Sequence, residues 1–421
     1  MVSKPCSIAS ILQPPKGVWY NRAGRSTIVI LQLYLHFPFC KRKCFYCDFV
    51  SGPENAETVA AYCLALQKEI RLAGEKYAGA KVSSVFLGGG TPSVVPFREM
   101  AEVLGTLRAC FDLLPGAEFT AEANPGTLEA DWLQTAMRYG LNRLSLGVQA
   151  AQDGLLRGIG RIHTFAQAKS AVRLARSCGI NNLNLDLMFG LPGQTLEAYR
   201  ESVEATVALA PEHVSAYSLI LEEGTPLESM VEQGRALLPD EEETAEMYEQ
   251  GARWLAGAGY ERYEISNFAR PGHACRHNLG YWQGAWYLGL GAAAHSMLPP
   301  DADEAAGGAA RVRRANTSDL RRYIAAMQTD GEAVAQRTPI SAQEAMFETM
   351  MLGLRMTEGV SERAFLERHG MALTARYGGP LERLVREGLG QWLGATPGHR
   401  RFALTARGLE MQNAALLRLM E

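Results

Sequence analysis

The sequence predicts an α/β fold: six strand-helix units curved into a partial, TIM-like (β/α)6 barrel, followed by a mostly helical, winged-helix-like C-terminal domain. Three observations predict it. Short β-branched or apolar runs recur about every thirty residues with helical patterns between them, and such alternation gives a parallel sheet with right-handed crossovers. The polar clusters fall at the carboxyl ends of these runs, the face on which parallel barrels build active sites. With 421 residues, 47% hydrophobic and 21% charged, the chain has the length and composition of a soluble barrel plus an accessory domain.

Taken in order, residues 1–27 carry Lys4, Lys16, Arg22 and Arg25 and no acid, and read as a loosely ordered leader rather than a targeting signal. The barrel is expected over residues 28–270, with strands at Ile28–His36, Val82–Leu87, Glu118–Glu122, Arg143–Val148, Asn182–Met188 and Val214–Ile220. In the first helix Val59, Tyr62, Cys63, Leu66 and Ile70 make one apolar stripe at helical spacing. A helix from about Asp240 to Ala256 precedes one more strand, Tyr260–Phe268. Residues 271–316 hold a His-Asn-x-x-Tyr-Trp motif, the Gly-rich Tyr287–His295 and a stretch rich in Pro, Asp, Ala and Gly from Pro299 to Ala315, which reads as a linker. From residue 317 onward the pattern is helical as far as Gln391–Leu393 and Arg401–Leu404, a hairpin across Pro397-Gly398, and a last helix opens at Thr405.

The cysteines are not a disulfide framework. Five of the eight are scattered singly, whereas Cys40, Cys44 and Cys47 lie within eight residues, just after the first strand. Three thiols on one loop mean a metal or redox site in a reducing compartment, which argues for the cytoplasm. Zinc would want a fourth ligand from a second Cys or His pair, and nothing nearby supplies one; clustered thiolates alone suit an iron–sulfur cluster. A net charge of −3 leaves no footprint for nucleic acid, and the C-terminal residues from Ser341 hold ten Arg, no Lys and nine acids, so the wing is no basic DNA reader. The uncharged runs Ser26–Cys40 and His277–Pro300 are too short or too polar to span a bilayer.

Cys-x3-Cys-x2-Cys followed by an aromatic residue resembles the cluster loop of radical S-adenosylmethionine (SAM) enzymes. The resemblance implies a [4Fe-4S] cluster on Cys40, Cys44 and Cys47, with the fourth iron left open for the amino and carboxylate groups of SAM. Gly88-Gly89-Gly90-Thr91-Pro92 after the second strand is no dinucleotide fingerprint and would alone be a packing turn, but it resembles the glycine motif of that family. Within the family the chain is similar to the oxygen-independent coproporphyrinogen III dehydrogenase-like proteins. On that pattern Tyr34, Gly89, Gly90, Thr91, Glu122, Gln149, Arg161 and Asp186 match the SAM-lining positions; a solvated or core-capping polar residue is the alternative at each. Arg161 could fork onto the SAM carboxylate, and Glu122 or Asp186 could accept from ammonium or ribose hydroxyls.

His277, Asn278, Tyr281 and Trp282 form the second informative element. An imidazole among aromatic rings suits a haem, and it equally suits a buried, hydrogen-bonded histidine at a helix start. The stretch looks like the haem-binding signature of the haem chaperone branch, with His273 and His295 as weaker ligand candidates. Membership of that branch would mean haem or porphyrin as cargo, acceptor haemoproteins as partners, peripheral contact with membrane haemoproteins, and an external electron donor. Coproporphyrinogen III oxidation is the alternative, and another radical SAM porphyrin enzyme a third. Two departures favour the chaperone: Phe49 stands where the dehydrogenases carry a fourth cysteine, and only about thirty residues precede the first strand.

Overall fold

The structure, a computed structural model, describes residues 18–20, 26–329 and 331–420. The expected leader therefore lies almost wholly outside the described residues, which include from it only β1 (Val18–Tyr20) and most of its antiparallel partner β2 (Ser26–Ile28).

Alternation in the strands decides the barrel. In β3 (Ile30–Phe37), Leu31, Leu33, Leu35 and Phe37 are fully buried in the core against the outer helices, which turns Gln32, Tyr34 and His36 to the inner face. Burying one such side chain is worth roughly 1.5–3 kcal/mol, so four of them, about 6 kcal/mol at the least, oppose a one-residue slip that would exchange the two faces. The same reading holds for β4 (Lys81–Gly89), β5 (Asp112–Ala123), β6 (Arg143–Gln149), β7 (Leu183–Phe189) and β8 (His213–Ser218). These six strands run parallel in chain order, as expected. Their inner face is polar yet buried: Gln32, Ser84, Glu118, Thr120, Arg143, Asn184 and His213. The helix Ala56–Lys76 buries the predicted stripe of Val59, Tyr62, Cys63, Leu66 and Ile70.

Beyond the six strands the structure departs from the sequence reading. Tyr260–Phe268 is not one strand but two short ones, β9 (Glu261–Arg262) and β10 (Asn267–Ala269). Between them the buried Glu264 carboxylate accepts the Ser266 N–H at 3.0 Å and turns the chain. β10 pairs antiparallel with both β9 and β8. At the other edge, β11 (Trp286–Leu290) joins β3 in parallel, and β12 (His295–Leu298), β13 (Ala309–Asn316) and β14 (Val334–Ser341) follow antiparallel. The result is a twelve-stranded sheet. Pro299–Ala315 is thus no linker: its Ala and Gly surround a five-residue helix, Ala302–Ala306, and its arginines belong to β13, where Val312 is fully buried. Composition misled there because the strand alternates Arg with Ala and Val.

The C-terminal unit begins after β14, later than residue 317, and has its own core, including Met350, Leu354, Phe365, Leu381 and Phe402. β16 (Gly390–Leu393) and β17 (Arg401–Leu404) form the expected hairpin, and β15 (Val360–Ser361) adds a third strand. The last helix divides at Met411 into Ala406–Glu410 and Gln412–Leu417.

The placement of β13 has a direct test. Val312→Asp is expected to cost roughly 3 kcal/mol or more in urea unfolding, because it buries a charge without a partner. A surface linker would tolerate it within about 0.5 kcal/mol.

Candidate functional site

The cysteine loop has almost no regular structure, so its shape comes from backbone hydrogen bonds to its neighbours. Cys40 N donates to Gly52 O at 2.9 Å and Gly52 N to Pro38 O at 3.2 Å, closing the loop base. Phe45 N donates to Ile159 O at 3.0 Å, and Leu227 N to Phe45 O at 2.9 Å, which tie its tip to the loops after β6 and β8. The glycine turn after β4 is clamped onto it: Gly90 N donates to Phe37 O at 2.8 Å and Thr91 N to Phe39 O at 2.7 Å. Only glycine fits at position 90, where a Cβ would stand 2.5 Å from Phe39 O and 2.7 Å from Phe37 O. Gly89 takes a φ of +104°, and a Cβ there would strike the His36 ring.

Cys40, Cys44 and Cys47 are all half-buried and free of disulfides. Among the described residues no group of three or more His, Cys, Asp or Glu is gathered closely enough for a single metal ion. Thiolates at the corners of a multi-iron cluster stand farther apart than ligands on one ion, and a short loop with three accessible thiols suits that geometry. Burial pushes the Cys47 thiol up, opposed by a backbone hydrogen bond and by Lys43. Cys40 Sγ lies 3.4 Å from Thr91 Oγ1, and the Arg161 guanidinium donates to Cys44 Sγ at 3.7 Å. Two of the loop's basic side chains fold back on it, Arg42 over the Phe45 ring and Lys43 onto Phe49 O, while Lys41 reaches out to Gly126 O in the turn after β5.

The eight residues matched to SAM converge on this same end of the sheet. Asn124, just past the end of β5, joins two of them: its Nδ2 donates to Thr91 Oγ1 at 2.7 Å and its Oδ1 accepts from Arg161. The Arg161 fork is therefore turned onto Asn124, the Gly147 carbonyl and Cys44, leaving Nε as its buried atom without a partner. Gln149 holds a left-handed φ of 69° and accepts from Tyr217 at 3.0 Å; such backbone strain persists only where the surroundings enforce it. Tyr34 bonds His36, which reaches back to Val50 O at 3.1 Å and so ties β3 to the far side of the cysteine loop.

Two half-buried carboxylates face this space. Glu122 accepts the Gly89 N–H at 3.1 Å and has no ion pair among the described residues; burial, then the nearby Asp186, push its carboxyl up to about 8. Burial also raises Asp186, opposed by hydrogen bonds including those from Asn184 at 2.6 Å and Ser145 at 3.2 Å. The buried Arg143 guanidinium opposes the rise of both, and two neighbouring acids that stay raised despite it fit a positively charged ligand.

The helix Arg276–Trp282 plugs the barrel from the other end. Its own N-cap residue, Cys275, makes no side-chain cap; Glu118 from β5 accepts from Arg276 N at 3.0 Å, His277 N at 2.9 Å and Cys275 Sγ at 3.3 Å. Glu118 was read only as a strand start, although it lies four residues before Glu122 and so on the same face. His277 is 1% exposed, with Nδ1 on Ser84 Oγ at 2.8 Å and Nε2 on Tyr281 OH at 3.1 Å. Burial, with the charge of Arg143 nearby, pushes its pKa down to about 3. The buried, hydrogen-bonded alternative thus describes this imidazole as it stands, and to take an iron it would have to give up one of these bonds. Tyr281 packs edge-on against Tyr287 at 4.7 Å, Arg355 lies over the Trp282 ring, and Asn278 is half-buried. Tyr34, Phe86, His277 and Tyr281 form a continuous row of rings, with centroids 6.2, 5.2 and 4.9 Å apart.

The Radical SAM superfamily profile matches residues 34–206 and the HemN C-terminal domain profile residues 340–397. The chain is 37% identical over 360 residues to the Bacillus subtilis (strain 168) protein named Heme chaperone HemW, covering 85% of this chain and 91% of that one. It is 36% identical over 343 residues to the Escherichia coli (strain K12) protein of the same name, covering 81% and 86%. The mitochondrial Radical S-adenosyl methionine domain-containing protein 1 of Danio rerio is 36% identical over 341 residues, covering 80% and 76%. Among solved structures, coproporphyrinogen III oxidase (HemN) from Escherichia coli superposes with a TM-score of 0.78 at 21% identity, over 93% of this chain and 90% of that one, a likeness of fold.

The raised Glu122 carboxyl sets a pH dependence. It is protonated below about 8 in the ligand-free protein, and the positive charge of a cationic ligand nearby would favour the carboxylate, so binding would release a proton. SAM affinity is expected to rise with pH up to about 8 and then level off, and Glu122→Gln is expected to flatten the profile. Titration calorimetry in two buffers of different ionisation heat reads the proton release; an equally steep profile in the variant would assign it to another group.

Proposed function

The chain belongs to the radical SAM superfamily and, within its coproporphyrinogen oxidase-like group, to the haem chaperone branch; from that premise we propose that it binds haem and delivers it to acceptor haemoproteins. Membership brings a [4Fe-4S] cluster and SAM, and we assign the cluster to Cys40, Cys44 and Cys47 and the SAM site to Tyr34, Gly89, Gly90, Thr91, Glu122, Gln149, Arg161 and Asp186. The observation that carries the haem reading is likeness along most of the chain, at 37% identity, to a protein named as a haem chaperone. The row of rings from Tyr34 to Tyr281 supports it, since a porphyrin macrocycle gains most from flat aromatic contact.

The chain's own residues have separable tasks in this reading. Clamped by Gly90 and Thr91, the loop holds its thiols at the mouth of the sheet, and Thr91 and Arg161 touch two of the sulfurs. Glu122 and Asp186 supply negative charge for the cationic cofactor. When bound, the cluster supplies an electron for reductive cleavage of SAM, chemistry that belongs to the cofactor rather than to the protein. His277, Asn278, Tyr281 and Trp282 form the helix on which the cargo would rest, and His277 could take iron by exchanging its Tyr281 bond.

The second reading, coproporphyrinogen III oxidation, has the fold likeness on its side. Against it stands Phe49, 58% exposed at the position of the dehydrogenases' fourth cysteine. Partners therefore remain haem or porphyrin, an acceptor haemoprotein and an electron donor. A reducing, cytoplasmic setting suits the three free thiols, and no helix among the described residues is long and apolar enough to cross a membrane.

Anaerobic protein titrated with haem is expected to give a saturable Soret band at about one haem per chain, weakened in His277→Ala. The same protein with SAM, a reductant and coproporphyrinogen III is expected to form no protoporphyrinogen IX at catalytic turnover. Absence of haem binding together with turnover would transfer the function to the oxidase reading.

A further inference from the structure

The charged side chains inside the barrel have partners of their own, with one exception. Glu118 accepts from the helix it caps, Glu122 accepts the Gly89 N–H, Asp186 accepts from Asn184 and Ser145, and Arg161 donates to Asn124, Gly147 and Cys44. Arg143 is 2% exposed, makes no hydrogen bond or ion pair among the described residues, and leaves its Nε as a buried donor without an acceptor. The hydroxyl of Thr120, its neighbour across the strands, is also buried without a partner. A guanidinium has five N–H donors and keeps its proton, so burial in this state is unfavourable until an acceptor arrives from outside.

Arg143 faces an open chamber. Leu144, Leu146 and Val148 of β6 pack outward into the core, which turns Arg143 inward. Strand register then draws one row across the inner face: Tyr34 of β3 beside Phe86 of β4, Phe86 beside Thr120 of β5, and Thr120 beside Arg143. One step nearer the mouth, Glu122 stands beside Ser145, and beyond it Asp186 beside Gly147. Tyr34, Phe86, Glu122 and Asp186 all point inward from their strands and are only half-buried, so accessible space reaches down to this row. Arg143 is close enough to that space for its charge to oppose the rise of the Glu122 and Asp186 carboxyls and to add to the burial that pushes His277 down. The chamber thus has acids towards its mouth, two aromatic rings on its wall and an unpaired cation at its floor.

We infer that Arg143 binds a carboxylate carried into the barrel on a flat conjugated body, a propionate of the haem whose macrocycle lies along Tyr34 and Phe86. The inference rests on the haem-binding reading above and adds to it the group that recognises the acidic side chain of the cargo. A carboxylate takes two parallel N–H bonds from a guanidinium, and the Thr120 hydroxyl can donate a third. The methionine carboxylate of SAM shares this chemistry, but the rings in the row with Arg143 favour a porphyrin over an aliphatic chain.

The test titrates the full chain, reconstituted without air, with haem and with haem dimethyl ester, whose esterified propionates carry no charge. Wild type is expected to prefer haem over the ester by at least about tenfold more than Arg143→Met does, with Arg143→Lys between them. Without ligand, Arg143→Met is expected to melt no lower than wild type, because it removes a buried charge that has no partner. A clearly lower melting temperature would show the guanidinium already satisfied inside the fold, by ordered water only, and would overturn the inference. The same preference for haem in wild type and Arg143→Met would overturn it too, while leaving the haem-binding reading intact. If Arg143→Met keeps that preference and instead loses discrimination between SAM and decarboxylated SAM, the carboxylate is SAM's and the inference fails. Wild type that takes up no haem would overturn the haem-binding reading, and this inference with it.

Discussion

Two backbone hydrogen bonds, Gly90 N to Phe37 O and Thr91 N to Phe39 O, hold the chemistry of this protein together. A loop carrying three cysteines has no ladder of its own and would otherwise sample many shapes, losing the convergence that a cluster requires. The clamp works because position 90 has no side chain and because β3 and β4 run parallel and in register to their last residues, Phe37 opposite Gly89. Sheet register, itself fixed by the outward leucines of β3, is thereby transmitted to sulfur.

Inside that frame the barrel keeps unusual company. Its inner face buries Glu118 and Arg143 and half-buries Glu122 and Asp186, and charges in such a place are tolerated only when paired, hydrogen-bonded or neutralised by proton uptake. Glu118 is satisfied by the helix it caps. Glu122 rises chiefly because it is desolvated and then because Asp186, of its own sign, lies near, with one backbone N–H and Arg143 opposing. One acid thus holds the plug at the bottom of the barrel, and the other, four residues along the same strand, faces the mouth.

Much of this was legible in the residues. Short apolar runs recurring between helical patterns named the six parallel strands, and their ends named the site, because both rest on local pattern and on a general property of parallel sheets. The edges were harder. β13 carries Arg311, Arg313 and Arg314 and reads as surface, yet Arg313 pairs with Glu348 and Arg314 bonds Tyr77, contacts made across the fold that no window of sequence contains. Likewise nothing near Asn124 announces that it links Thr91 to Arg161, and nothing near His277 reveals that Ser84, nearly two hundred residues earlier, occupies its ring. Long-range satisfaction of polar groups is decided by tertiary structure.

The central claim is that the clamped loop presents three thiolates to a cluster with one iron open to SAM. Electron paramagnetic resonance of protein reconstituted with iron and sulfide under anaerobic conditions and then reduced tests it most directly. The account predicts a [4Fe-4S]+ signal that shifts when SAM is added and is lost in a variant with Cys40, Cys44 and Cys47 all replaced by Ser. A signal indifferent to SAM, or one that survives in the triple variant, would contradict it.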